Sequence, residues 1–160
     1  HHITGHPENP DVLWVALGWA GLKNRPQEDR PHFGGVARSD DGGRTWTKVI
    51  ERDYTRAVIV PPNRPDLVLA APAQKVGQLG RSVVSSDNGK TWQPAGDGTE
   101  EPAADMVELF RTAPDGSVWA NSSQGGLLRA EPGEWHWRPT IATSQGTDLQ
   151  IESFCFVETL

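Results

Sequence analysis

The residues with chemistry to offer are mostly carboxylates. Glu51 and Asp53, then Asp97, Glu100, Glu101, Asp105 and Glu108, lie in two connecting stretches, and Glu28 and Asp29 lie in a third. Glycoside hydrolysis takes two carboxyl groups, about 5–5.5 Å apart for retention and ~6.5–9.5 Å for inversion. Asp53 or Asp105 paired with Glu28 or Asp29 are the candidate catalytic sets; the plain alternative is that all four are solvated surface charges. The third stretch, GWAGLKNRPQEDRPHF (18–33), also holds Trp19, Arg25, Arg30 and His32. With Tyr54 and Arg56 these supply an aromatic platform, cations and carboxylates. That mixture suits a sugar or peptide ligand, although solvated loops carry the same residue types.

Other catalytic signatures are absent. There is no Gly-x-Ser-x-Gly elbow, phosphate-binding Gly-Lys-Ser/Thr loop, His-Glu-x-x-His or dinucleotide fingerprint. Cys155 is the only cysteine, which excludes an internal disulfide and a thiolate zinc cage; inside an apolar run it reads as a small core residue. His1, His2 and His6 cluster at the start, as a tag remnant or a weak metal trap would, and Asn121-Ser122-Ser123 fits the short glycosylation pattern. No metal and no cofactor is expected. A net charge of −6 and a pI near 5.3 argue against a nucleic-acid partner, whose phosphates need a basic face. No run of ~18 apolar residues predicts membrane insertion, and no signal peptide is visible. The sequence opens on His1 and not Met, so a piece of a longer chain is expected and localisation stays open.

At 160 residues the length is that of one domain. The 17 Gly and 13 Pro residues fall at short intervals, and no long stretch keeps a helical apolar stripe, which predicts an all-β fold. Short apolar runs at Val12–Leu17, Ala57–Val60, Leu67–Ala71, Val118–Ala120 and Ile151–Val157 have the length of strands buried on both faces. Three segments align without gaps: GGVARSDDGGRTW (34–46), GRSVVSSDNGKTW (80–92) and GGLLRAEPGEWHW (125–137), with Trp-to-Trp spacings of 46 and 45. A second repeated piece lies upstream of each, opening at His6, Pro61 and Ala113. Four strands in about 46 residues is the size of one propeller blade. The blades are placed at about 1–50, 51–98 and 105–140, with an extra strand over 150–160.

Turn chemistry points the same way. Gly42-Gly43 and Asn88-Gly89 occupy matching places and tolerate the positive φ of a two-residue hairpin turn. Asp41 and Asp87, just before them, are placed to accept hydrogen bonds from turn N–H groups. Trp46 and Trp92 then offer large apolar faces for packing on the next blade.

SDDGGRTW and SSDNGKTW share the pattern Ser-x-Asp-x-Gly-x-Thr-Trp, and on these residues the chain resembles the BNR/Asp-box repeats of sialidase-like β-propellers. The resemblance implies structural roles for Ser39, Asp41, Gly43, Thr45 and Trp46 and for Ser85, Asp87, Gly89, Thr91 and Trp92. In the third unit Ala130, Pro132 and His136 replace Ser, Asp and Thr, so its hairpin is expected to be the least well fixed. It further implies that the boxes face away from the ligand mouth. The loops between second and third strands, and those between blades, then line that mouth. The first such loop is Gly18–Phe33, the second Ala71–Leu79 and the third only a few residues. A sialidase would also resemble its family in an Arg-Ile-Pro motif, an arginine triad and a Tyr/Glu pair; no Arg-Ile-Pro occurs, and Tyr54 is the only tyrosine.

Propellers close with about 4–8 blades, so three units imply either further blades in cis or a second copy in trans. Phe154, Phe156 and Val157 are expected to stay exposed without such a partner. The leading expectation is a non-catalytic recognition scaffold for a glycan, peptide or protein. The alternative is a glycoside hydrolase module of sialidase-like or endoglucanase-like type.

Overall fold

The computed structural model describes residues 2–18, 34–96, 105–124, 126–141, 151 and 153–157. These hold three antiparallel sheets. The first comprises β1 (Ile3–His6), β2 (Asn9–Leu17), β3 (Gly35–Ser39) and β4 (Thr47–Ile50), in the order β1-β2-β3-β4. The second comprises β5 (Tyr54–Ile59), β6 (Val68–Lys75), β7 (Gln78–Gly80), β8 (Val83–Ser85) and β9 (Gln93–Pro94), ordered β5-β6-β8-β9 with β7 also paired to β6. The third comprises β10 (Val107–Thr112), β11 (Val118–Ser122), β12 (Leu127–Ala130) and β13 (Arg138–Ile141), again in chain order. No helix occurs among the described residues, and none is long and apolar enough to cross a membrane.

Side-chain alternation decides how the sheets stack. In β2, Val12, Trp14 and Ala16 are buried while Leu13, Val15 and Leu17 are half-buried, so this sheet packs mainly through one face. The middle sheet is covered on both. From β5 and β6, Val58, Val68 and Ala70 join Trp14 and Val36 in a core against the first sheet. The alternate residues Ala57, Ile59, Leu69 and Ala71 join Phe110, Val118, Ala120 and Trp135 in a core against the third. Each fully buried Val, Leu or Ile among these contributes roughly 1.5–3 kcal/mol, and the continuous apolar run of β6 follows from serving two cores at once.

The innermost strands are also tied by polar contacts. The His2 ring Nδ1 donates to Val58 O at 2.8 Å, and the His6 ring Nε2 to Pro65 O at 3.0 Å. Arg56 and Glu108 form an ion pair at 2.5 Å between β5 and β10.

Four expectations change. The indole of Trp92 packs on the preceding sheet, not the next: its Nε1 donates to Val49 O at 3.2 Å and its ring meets Trp14 edge-on at 6.4 Å. Trp137 repeats this, donating to Ala95 O at 2.7 Å. The third strand of the second unit is broken into β7 and β8, where Arg81 N bonds back to Pro72 O. Ala71–Leu79 is no loop: β6 runs on to Lys75 and turns at Val76-Gly77 into β7. Finally, the described residues of 150–160 form no strand. They cross the face of the third sheet, with Phe154 and Phe156 packed against Trp119 at ring separations of 6.4 and 5.5 Å and Asn121 Nδ2 bonded to Ile151 O. Phe154 and Phe156 are therefore half-buried within the chain itself, while Val157 and Cys155, the latter read as a core residue, are exposed. A face contact through rings leaves the backbone without a ladder partner, which is why no strand forms.

Candidate functional site

The Asp boxes occupy one end of the sheets. Ser39 Oγ donates to Asp41 Oδ1 (2.8 Å) and accepts from Gly43 N (2.9 Å), while Thr45 N and Thr45 Oγ1 donate to the two Asp41 oxygens at 2.9 and 2.6 Å. Ser85, Asp87, Gly89 and Thr91 repeat this network, with the corresponding distances 2.8, 2.8, 2.9 and 2.7 Å. Gly42, Gly43, Asn88 and Gly89 all have positive φ. The connection is nevertheless wider than a two-residue turn, since β3 ends at Ser39 and β4 begins at Thr47. The side chains hold what a tight turn would otherwise hold. In the third unit the backbone substitutes: Glu134 N and Trp135 N both donate to Glu131 O, and Trp135 stacks on Trp137 at 6.3 Å.

The hydroxyl of Thr45, then its backbone N–H and Ser39, hold the Asp41 carboxyl at about 2. Thr91 and Ser85 do the same for Asp87. An unfolded aspartate titrates near ~3.9, so this stabilisation is full above pH ~4 and disappears as pH falls toward about 2. Urea midpoints measured from pH 5 to pH 2.5 are expected to fall. In an Asp41→Asn/Asp87→Asn double variant the fall should be shallower; equal slopes would mean that other groups carry the acid sensitivity.

Antiparallel order puts the β2–β3 and inter-sheet connections at the opposite end. Trp19, Arg25, Glu28, Asp29, Arg30 and His32 lie outside the described residues. Of the remaining candidates, Asp53 pairs with Arg81 at 2.5 Å. The Asp105 carboxylate accepts from Met106 N at 2.6 Å, from Gln124 N at 3.4 Å and from the hydroxyl of Ser123. Their backbones are clasped as well: Gly35 N donates to Asp53 O (2.6 Å) and Gly80 N to Asp105 O (2.9 Å). Both carboxylates thus sit where one sheet hands over to the next. Tyr54, read as a ligand contact, is buried with Ala73 and Met106. Arg56 is engaged with Glu108. Arg81 and Ser123 were not singled out in the sequence; Arg81 is 28 residues from its partner Asp53, and no local pattern marks such a pair.

The same end opens into a cavity of about 550 Å³ between the second and third sheets. Val107, Ala120, Leu128 and Trp137 wall it, with Arg81, Asp105 and Ser122 also in its lining. No group of three or more metal-ligating side chains gathers among the described residues.

Residues 37–48 and 83–94 match the family model of the BNR/Asp-box repeat. No curated protein sequence matches the chain. Among solved structures it is similar to an ancestral GH74 enzyme, with a TM-score of 0.63 and 15% identity over 90% of this chain and 18% of that one. The GH74 enzyme of Niastella koreensis gives a TM-score of 0.61 and 13% identity over 87% of this chain and 21% of that one. YCF48 bound to D1 peptide gives 0.52 and 18% over 86% and 38%. The chain spans well under half the length of each. Identities this low speak to fold alone, and that fold agrees with the sheets and staples above: the chain carries two BNR/Asp-box repeats in a partial set of β-propeller blades.

Proposed function

We propose that these blades form a non-catalytic recognition scaffold, presenting the end opposite the Asp boxes to a peptide or protein segment. The engagement of Asp53 and Asp105 carries this reading. A general acid–base pair has to exchange protons with a substrate, whereas Asp53 is held by a guanidinium and Asp105 by two N–H groups and a hydroxyl. Each carboxylate is tied up within its own unit, beside the backbone carbonyl that clasps the preceding sheet. The apolar cavity beside them supports the same reading, since recognition surfaces are built from an apolar pocket with a few polar groups. The similar YCF48 structure holds a peptide, which favours peptide over glycan.

The second reading, a glycoside hydrolase module, draws on the similar GH74 enzymes. One experiment separates the two. The protein is passed over a peptide array and, in parallel, incubated with soluble glucans and sialosides while released reducing sugar is measured. Saturable peptide binding without sugar release is expected, with affinity reduced about tenfold, or roughly 1.4 kcal/mol, in Arg81→Ala. Sugar release that disappears in folded Asp53→Ala or Asp105→Ala would overturn the scaffold reading.

A further inference from the structure

The two seams between sheets are built on one plan and filled differently. Aligning Trp46 with Trp92 places Val36 against Ser82, Val49 against Ala95 and Ile50 against Gly96. The structure supports this correspondence independently, because Trp92 Nε1 donates to Val49 O and Trp137 Nε1 to Ala95 O. In the first seam Val36 is fully buried, and Val49 and Ile50 pack against the same core. In the second, all three positions have lost their branched side chains, and the cavity of about 550 Å³ is lined by Ser82, Ala95 and Gly96.

Gly96 needs no glycine for backbone reasons. Its φ is not in the left-handed region, and among the described residues a Cβ placed there would meet nothing within 4 Å. Protein interiors are otherwise packed with few voids larger than a water molecule, whereas a space of a few hundred Å³ is of ligand size. We propose that this cleft is a binding site for a peptide carrying a branched aliphatic residue. Its side chain takes the space over Gly96 that Ile50 fills in the first seam, beside the fully buried Ala95. The walls formed by Val107, Leu128 and Trp137 are apolar, so an aliphatic anchor is satisfied on them without hydrogen bonds, whereas a sugar would depend on Arg81, Ser82, Gln93, Asp105 and Ser122 elsewhere in the lining. The proposal deepens the recognition reading and rests on it.

The test uses acetyl-Val-Ile-amide as probe and acetyl-Ala-Gly-amide and cellobiose as controls. The indole N–H of Trp137, identified by its loss in Trp137→Phe, is followed by two-dimensional NMR. A saturable shift with acetyl-Val-Ile-amide is expected, and at least tenfold weaker response to either control. Gly96→Ile, which restores the first-seam residue, should abolish the shift while unfolding at a higher urea concentration than the parent. Should that variant fail to fold, Gly96→Val serves, since its Cβ enters open space. No saturable shift in the parent, an undiminished shift in the filled variant, or a response to cellobiose alone would overturn the proposal. A peptide from the array that binds, weakens in Arg81→Ala and leaves Trp137 unmoved would overturn the cleft and leave the recognition reading intact.

Discussion

Trp137→Ala is expected to destabilise the fold by about 2–3 kcal/mol, less than the roughly 3–5 kcal/mol of a fully buried aromatic because Trp137 is half-buried, whereas Trp46→Ala should cost about 1 kcal/mol or less. The two residues hold the same place in their repeats, on hairpins that are built differently. Their seams differ as well. Trp137 stacks on Phe110 at 5.9 Å and reaches the preceding sheet through Ala95 O. Trp46 keeps its N–H within its own hairpin, on Gly43 O at 3.0 Å, and is 39% exposed. Trp92, bonded to Val49 O and edge-on to Trp14, should behave like Trp137. Urea unfolding of the three alanine variants checks this, and Trp137→Phe, which keeps a ring but removes the N–H bond worth about 0.5–1.5 kcal/mol, should lie between the parent and Trp137→Ala. Equal losses at Trp46 and Trp137 would mean that the repeat tryptophans act inside their hairpins and not between sheets.

What could be read from the residues was what acts over short distances. Ser39, Asp41, Gly43 and Thr45 bond among themselves within six residues, and a pattern of that span is visible without knowing the fold. The double burial of β6 was equally plain, because Val68–Ala71 has no polar interruption. Contacts across seams left no such trace. Trp92 and Val49 are 43 residues apart, and nothing around Trp92 says which neighbour it faces. The run Ile151–Val157 reads as a strand by its apolar residues, but strand formation requires a free edge and the rings of Phe154 and Phe156 found the face of Trp119 instead. Tyr54 follows the charged residues 51–53, but it opens β5 and turns inward onto Met106. The cleft was within reach: carrying the repeat alignment four residues past each tryptophan sets Val49-Ile50 beside Ala95-Gly96.

Gly35→Ala should destabilise by about 3 kcal/mol or more, and two other glycines show why. Gly35 combines a φ of +93° with a close approach: a Cβ there would lie 1.8 Å from Ile50 O. Left-handed backbone at a non-glycine residue costs about 1–3 kcal/mol, and forcing extra atoms into packed structure about 1–3 kcal/mol more. Gly77 isolates the first effect, since its φ is +74° and an added Cβ meets nothing within 4 Å; Gly77→Ala should therefore cost only about 1–2 kcal/mol. Gly80 isolates the second, because its φ is ordinary and its Cβ would lie 2.5 Å from Asp105 O and 2.8 Å from Met106 Cα. Backbone atoms cannot rotate away as a side chain can, so relief at Gly80 must come from parting the second and third sheets. That movement would break the Gly80–Asp105 bond and widen the mouth of the cleft. Gly80→Ala is accordingly expected to weaken peptide binding as well as stability, and Gly77→Ala to lower stability with binding unchanged. Equal binding losses in the two variants would show that the clasp does not set the geometry of the recognition face.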